Sequence, residues 1–68
     1  MNIHAFQAAV DYFGSQGKMA RKMGIEPMTV SLWKSKGLPP KRAVEIERLT
    51  NGLVTRVELL PEIFGDVA

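Results

Sequence analysis

The segment covering residues 16–35, QGKMARKMGIEPMTVSLWKS, constrains the fold more than any other part of the chain. Within it, Ala20, Gly24, Val30 and Trp33 follow one another at intervals of four, six and three residues. This spacing is typical of two short helices that cross at a tight corner, with a small residue where they approach, a glycine in the turn and two apolar residues one turn apart. We therefore predict a helix-turn-helix, whose second helix can enter a DNA major groove.

Length and composition limit the alternatives. The chain has 68 residues, enough for one small domain, and we expect residues 1–68 to form a single DNA-binding domain. Because the chain has no cysteine, it has neither disulfides nor a thiolate zinc site. It also lacks an apolar run of about 18 residues and the layout of a secretion signal. We expect a soluble, cytoplasmic protein without membrane contact.

Positive charge is concentrated on the predicted helix-turn-helix and just beyond it. The net charge of the whole chain is only +2, but residues 16–42 carry seven basic side chains against one acidic residue, Glu26. The seven are Lys18, Arg21, Lys22, Lys34, Lys36, Lys41 and Arg42. Residues 43–68 are acidic by contrast. A basic segment of this kind is typical of a surface that binds nucleic acid, and equally of a solvated face that binds nothing.

Apolar periodicity and helix-end residues predict five helices. The first three cover about residues 3–13, 16–23 and 27–35. The fourth begins at Pro39 and Pro40 and is closed by Asn51 and Gly52, and the fifth covers about residues 55–60. Gly14 ends the first helix, Ser15 is a good N-cap for the second, and Gly24 supplies the left-handed turn before the third. The sequence therefore predicts an all-α, compact five-helix bundle.

The last helix has an alternative. Thr55 and Glu58 have the spacing of a capping box, which favours a short helix, but the run VTRVELL also fits an edge strand. If the segment is helical, we expect Leu59, Ile63 and Phe64 to pack against the first helix.

The third predicted helix offers candidate contacts to DNA bases on the side opposite Val30 and Trp33. These candidates are Met28, Thr29, Ser31 and Leu32. Ser31 and Thr29 can hydrogen-bond several base edges, while Met28 and Leu32 fit against thymine methyl groups. The same apolar pair, spaced one turn apart, also fits the protein core or a partner-binding patch.

Candidate contacts to the DNA backbone surround this helix. They are Gln16, Lys18, Lys34, Lys36, Lys41 and Arg42. Gln16 opens the second helix, where free backbone N–H groups and the helix dipole attract a phosphate. The lysines can serve as point charges for phosphates that flank the recognised bases. Arg42 has an alternative, since it can pair with Glu45 on the fourth helix.

No combination of residues in the chain predicts catalysis. His4 is the only histidine and has no plausible nucleophile beside it, and Glu45 and Glu47 point in different directions on a helix. A glycine-rich phosphate loop is absent as well. We expect no enzymatic activity, no cofactor and no metal ion.

The chain resembles the small Cro-type regulators of phages and prophages in the run GKMARKMGIEPMTVSLWKSKGLPP and in KRAVEIERLTNG, which follows it. Within these regulators it is most similar to the all-helical, YdaS-like branch. The resemblance covers about residues 6–64 and is carried by YFG, SLWK, LPP, AVEIER and PEIF. It implies a lambda repressor-like fold and repression of transcription in a bacterial host, on the nucleoid. It also implies binding to double-stranded operator DNA by a homodimer, either weak or formed only on DNA.

Residue roles follow from the same resemblance. It implies base-edge roles for Met28, Ser31 and Leu32, with Thr29 as a further candidate, and backbone roles for Gln16, Lys34 and Arg42. Two positions depart from the family pattern. Glu26 stands where relatives have a capping Ser or Thr, and Met28 stands where many have a polar residue such as Gln. The operator of relatives therefore does not transfer to this chain.

A second function remains open at this point. In an antitoxin-like or antirepressor-like interaction module, Met28, Leu32 and the nearby lysines would contact a protein rather than DNA. The identity of the bound partner separates the two hypotheses.

Overall fold

Six helices lie within residues 1–65, the part of the chain that the structure, a computed structural model, describes. They are α1 (Ile3–Phe13), α2 (Gln16–Met23), α3 (Pro27–Lys36), α4 (Pro40–Leu49), α5 (Arg56–Leu59) and α6 (Pro61–Phe64). These residues contain no strand, so the all-α prediction is confirmed, and the run VTRVELL contains the helix α5 rather than an edge strand. In the same residues, no helix has both the length and the apolar character needed to cross a membrane.

Side-chain caps start several of the helices, as the sequence rules predict. The Ser15 hydroxyl accepts a hydrogen bond from the backbone N–H of Lys18 at 3.1 Å and so opens α2. At α5, the Thr55 hydroxyl accepts from the N–H of Glu58, while the Glu58 carboxylate accepts from the N–H of Thr55. Each bond satisfies an N–H group that has no partner inside its helix. Both predicted caps are confirmed.

The helix count differs from the prediction, because a one-turn helix, α6, follows α5. Leu60 leaves the helical region with φ −131° and ψ 68°, which ends α5 at Leu59. Pro61 has no N–H and cannot continue a helix, yet it fits the first position of a new one. The N–H of Phe64 then donates to the carbonyl of Leu60 at 2.9 Å. The predicted fifth helix is thus present as α5, and α6 is an additional helix that the sequence analysis did not predict.

One apolar core connects the helices. The ring of Phe6 meets Trp33 edge-on at 6.4 Å between centroids, which joins α1 to α3. Leu59 is fully buried, and its carbonyl accepts from the N–H of Asn2 at 2.9 Å, which holds α5 against the start of α1. Phe64 packs on the core as predicted, but Ile63 is 52% exposed and the prediction for it is wrong. In a one-turn helix, neighbouring residues cannot all face the same side.

A carboxylate holds α5 against α4. Glu47 Oε1 accepts from the backbone N–H of Arg56 at 2.8 Å and from its Nε at 3.1 Å. The backbone N–H of Arg56, helped by its guanidinium, outweighs burial and lowers the pKa of Glu47. This contact fixes the C-terminal helices on the bundle without involving α2 or α3.

Candidate nucleic-acid interface

The corner between α2 and α3 depends on Gly24. Its φ of 71° and ψ of 33° are left-handed, a conformation that costs other residues about 1 kcal/mol or more. The N–H of Gly24 donates to the carbonyls of Ala20 and Arg21, and the N–H of Ile25 donates to Ala20 at 2.9 Å. These bonds end α2 and redirect the chain so that α3 begins at Pro27. The corner predicted from the residue spacing is therefore present.

Helix α3 has one buried and one exposed face. Val30 is fully buried and Trp33 is 5% exposed, whereas Met28 is 72% exposed and Leu32 is 43% exposed. Met28 and Leu32 therefore do not belong to the core. This excludes one of the two alternatives to base contact, and the partner-binding patch stays open. Ser31 is exposed on the same side, and Thr29 is half-buried at its edge. A continuous surface of mixed apolar and hydroxyl character is left free along α3.

A hydrogen bond links two residues that were predicted to contact DNA separately. The Ser31 hydroxyl on α3 donates to Oε1 of Gln16, the first residue of α2, at 2.9 Å. The amide NH₂ of Gln16 stays free to donate to another group, and the Ser31 oxygen can still accept. The bond thus connects the start of α2 to the exposed face of α3. No local sequence signal predicts it, since the two residues are 15 positions apart.

The start of α3 carries a negative charge, which is unfavourable for binding an anionic ligand. Glu26 is the N-cap residue, is exposed, and makes no side-chain capping bond. Its carboxylate suits the positive end of the helix dipole. The same negative charge stands next to Met28 and opposes the approach of a phosphate backbone.

Two of the candidate backbone contacts lie against other parts of the protein. The Lys18 side chain lies over Gly14, where an added Cβ would stand 3.0 Å from Lys18 Cδ, so its ammonium lies near the C-terminal end of α1. Arg42 donates to Glu45 at 2.7 Å, the alternative that the sequence left open. Lys18 is exposed, and Arg42 has further N–H donors beside the one on Glu45, so each can still donate to a phosphate.

The remaining basic candidates are exposed and close together along the chain. Lys34 and Lys36 lie in the last turn of α3, and Lys41 lies in the first turn of α4. Gly37, with φ 100°, ends α3 and starts the short link to α4. Three ammonium groups that form no ion pair with any residue in 1–65 therefore flank this link, at the end of the exposed face of α3. Within residues 1–65 no group of three or more His, Cys, Asp and Glu side chains could hold a metal ion.

Comparisons with known proteins match the chain to a family, to a bacterial relative and to a solved structure. The family model described as bacterial toxin YdaS matches residues 6–68. A protein of Escherichia coli (strain K12), provisionally named transcriptional regulator YdaS, is 39% identical over 62 residues. That match covers 88% of this chain, but the chain spans only 63% of the length of the relative.

A solved structure matches over almost the whole chain. It is the Cro protein from Xfaso 1, a provisionally assigned prophage element in Xylella fastidiosa strain Ann-1. The two chains are 38% identical and superpose with a TM-score of 0.82, over 96% of this chain and 98% of the other. The Cro-like, all-helical fold expected from the sequence is therefore confirmed.

Proposed function

The chain belongs to the bacterial YdaS family, and on that premise we propose that it is a sequence-specific DNA-binding transcriptional regulator. It acts as a Cro-like repressor by placing α3 in the major groove of operator DNA. The observation that carries this proposal is the two-sided character of α3, in which buried Val30 and Trp33 leave Met28 and Leu32 exposed. The E. coli relative named as a regulator and the matched Cro protein support it.

Base recognition falls to four residues of α3. Met28 and Leu32 contact thymine methyl groups, and Ser31 hydrogen-bonds a base edge, with Thr29 contributing its hydroxyl from the side. None of these side chains makes the bidentate contact that arginine or glutamine makes. Discrimination at single base pairs therefore depends on methyl contacts and single hydrogen bonds, and a substitution in the operator should cost about 1 kcal/mol, the low end of the usual range.

Phosphate contacts hold α3 in the groove. The free amide NH₂ of Gln16, at the N-terminus of α2, donates to one phosphate, and its bond to Ser31 keeps that anchor in register with the base-reading face. Exposed ammonium groups at the end of α3 and the start of α4 bind the flanking backbone. The residues assigned to this role are Lys34, Lys36 and Lys41, together with Lys18 and Arg42.

We assign a homodimer to the bound state, weak in solution or formed on the DNA itself. Two recognition helices then read half-sites about 34 Å apart, or a multiple of that distance. If the dimer neutralises about six phosphates, the logarithm of the affinity falls with the logarithm of the salt concentration with a slope near −5. Such a regulator acts in the bacterial cytoplasm, on the nucleoid when bound.

The description of the family as a toxin is compatible with DNA binding as its activity. A protein that occupies promoters inhibits growth when it is abundant, without any enzymatic step. We therefore expect growth inhibition on overexpression to disappear in the same variants that lose DNA binding, such as Leu32→Ala. Inhibition that persists in a variant without DNA affinity would point to a different mode of action.

The decisive experiment selects bound sites from a random duplex library and then measures salt dependence on the selected site. Lys34→Ala should weaken binding to all sites about equally and make the salt slope shallower by about one per protomer, since one phosphate contact is lost. Arg48→Ala is the matched control, because it removes one exposed positive charge from the far end of α4. A slope that is flat, or that Lys34→Ala leaves unchanged, contradicts the proposal.

One observation favours a second candidate function. Met28 and Leu32 form an exposed apolar pair, and such a pair also suits a protein partner, as in an antitoxin-like or antirepressor-like module. A pull-down from nuclease-treated lysate separates the two candidates. Retention of a defined protein that Leu32→Ala releases, together with no selected DNA site, supports the module and overturns the regulator.

A further inference from the structure

One methionine differs from the other three in its exposure. The chain has four methionines. Met19 is fully buried, Met23 is 7% exposed, and the side chain of Met1 is 4% exposed, whereas Met28 is 72% exposed. Because the chain has no cysteine, no thiol competes for an oxidant. The thioether of Met28 is therefore the most accessible oxidisable sulfur of this protein.

We propose that Met28 is an oxidation site through which peroxide-class oxidants weaken DNA binding. The inference rests on the proposed function, since it takes α3 as the helix that reads DNA. In the reaction, the thioether sulfur attacks one peroxide oxygen, the O–O bond breaks, and an S=O bond forms. Hydrogen peroxide is reduced to water while the sulfur loses two electrons and becomes a sulfoxide.

The position of Met28 makes this change effective. Met28 and Leu32 are one turn apart and form the apolar part of the exposed face of α3. A sulfoxide replaces an apolar, flexible end with a strongly polar oxygen that must lose its water on entering the groove. A thymine methyl group offers that oxygen no hydrogen bond. Oxidation thus removes a favourable contact and adds a desolvation cost at the same place.

The fold survives the modification, because the sulfur of Met28 contributes nothing to the core. Val30 and Trp33, the residues that hold α3 in place, are buried and protected. The state is also reversible, since methionine sulfoxide reductases restore the thioether. The chemistry therefore gives a regulator that releases DNA under oxidation and regains it on reduction.

The test treats the folded, full-length protein with hydrogen peroxide and quenches it with free methionine. Peptide mass spectrometry then locates the added oxygen of about 16 Da, and fluorescence anisotropy measures affinity for the selected duplex. We expect oxidation mainly at Met28 and an affinity at least about fivefold weaker, the lower end of what one base contact contributes. Reductase treatment should restore the affinity, and circular dichroism should remain unchanged throughout.

Met28→Leu is the matched control. It removes the oxidisable sulfur at this position, so whatever affinity the variant has for the duplex before treatment should be the same after peroxide. Equal oxidation of Met19 or Met23, or unchanged affinity of wild-type protein oxidised at Met28, overturns the inference alone. The same holds if the treated Met28→Leu variant loses affinity as the wild type does. If untreated protein binds no duplex at all, the proposed function fails and takes this inference with it.

Discussion

Alanine substitutions at Val30 and Leu32 separate the two faces of α3, on which the proposed function depends. Val30 is fully buried, so Val30→Ala removes two methyl groups from the core. The transfer term is about 1.6 kcal/mol at roughly 0.8 kcal/mol per group, and the cavity raises the total to about 2–3 kcal/mol. A chain of this length has a free energy of unfolding of about 3–10 kcal/mol, so the melting temperature should fall by roughly 10–20 °C.

Leu32→Ala is the matched change on the other face. Leu32 is 43% exposed and alanine favours helices, so the free energy of unfolding should change by no more than about 0.5 kcal/mol. Its affinity for the selected duplex should nevertheless fall about fivefold or more, because the contact to a thymine methyl group is lost. Val30→Ala should therefore lose stability and, when folded, keep its DNA affinity. Leu32→Ala should keep its stability and lose DNA affinity.

Urea unfolding measures the first quantity, with Trp33, the only tryptophan, as a buried fluorescent probe in the same helix. Anisotropy with a labelled duplex measures the second, at a temperature where Val30→Ala is fully folded. If Leu32→Ala destabilises the protein as much as Val30→Ala does, the exposed face is not free. If folded Val30→Ala loses DNA affinity while Leu32→Ala keeps it, the assignment of base contacts is wrong.

Two further predictions concern carboxylates. Glu26→Ser should raise the free energy of unfolding by about 0.5–1 kcal/mol, because serine caps α3 where Glu26 makes no capping bond. The same change should tighten DNA binding, most strongly at low salt, because it removes a negative charge. Urea unfolding measures the first effect and a salt titration of DNA affinity the second, and weaker binding would contradict the assigned position of the DNA. The N–H and guanidinium of Arg56 lower the pKa of Glu47 in the folded state. The carboxylate therefore stabilises the fold fully above the ordinary pKa of 4.5, and this stabilisation is lost as the pH falls through the lower pKa of the folded state. Wild-type stability should therefore fall more steeply than that of Glu47→Gln below about pH 4.5, by less than about 1 kcal/mol, in urea titrations; parallel pH profiles would refute this.

Local rules predicted much of the fold because the contacts they describe are local. The caps at Ser15 and at Thr55 with Glu58 join residues three positions apart, and the left-handed turn at Gly24 is a property of one residue. The burial of Val30 and Trp33 follows from their spacing along one helix. The helix-turn-helix, and the existence of an exposed face on α3, could therefore be read from residues that are neighbours in sequence.

Contacts between distant residues could not be predicted in this way. The hydrogen bond from Ser31 to Gln16 depends on the crossing of α2 and α3, and the ion pair of Arg56 with Glu47 depends on the loop between α4 and α5. The extra helix α6 arose because Leu60 adopted a backbone conformation that its own identity does not require.

The amino-acid sequence by itself determined where α1 to α5 lie, which side of α3 is apolar, and hence that a helix-turn-helix forms. The tertiary structure decided which distant polar groups are already occupied: Gln16 and Ser31 bind each other, and Glu47 binds Arg56. It also decided that Met28 alone among the methionines faces solvent. The physical reason is range, since caps and periodicity act within one or two helical turns, whereas exposure and pairing depend on where other helices lie.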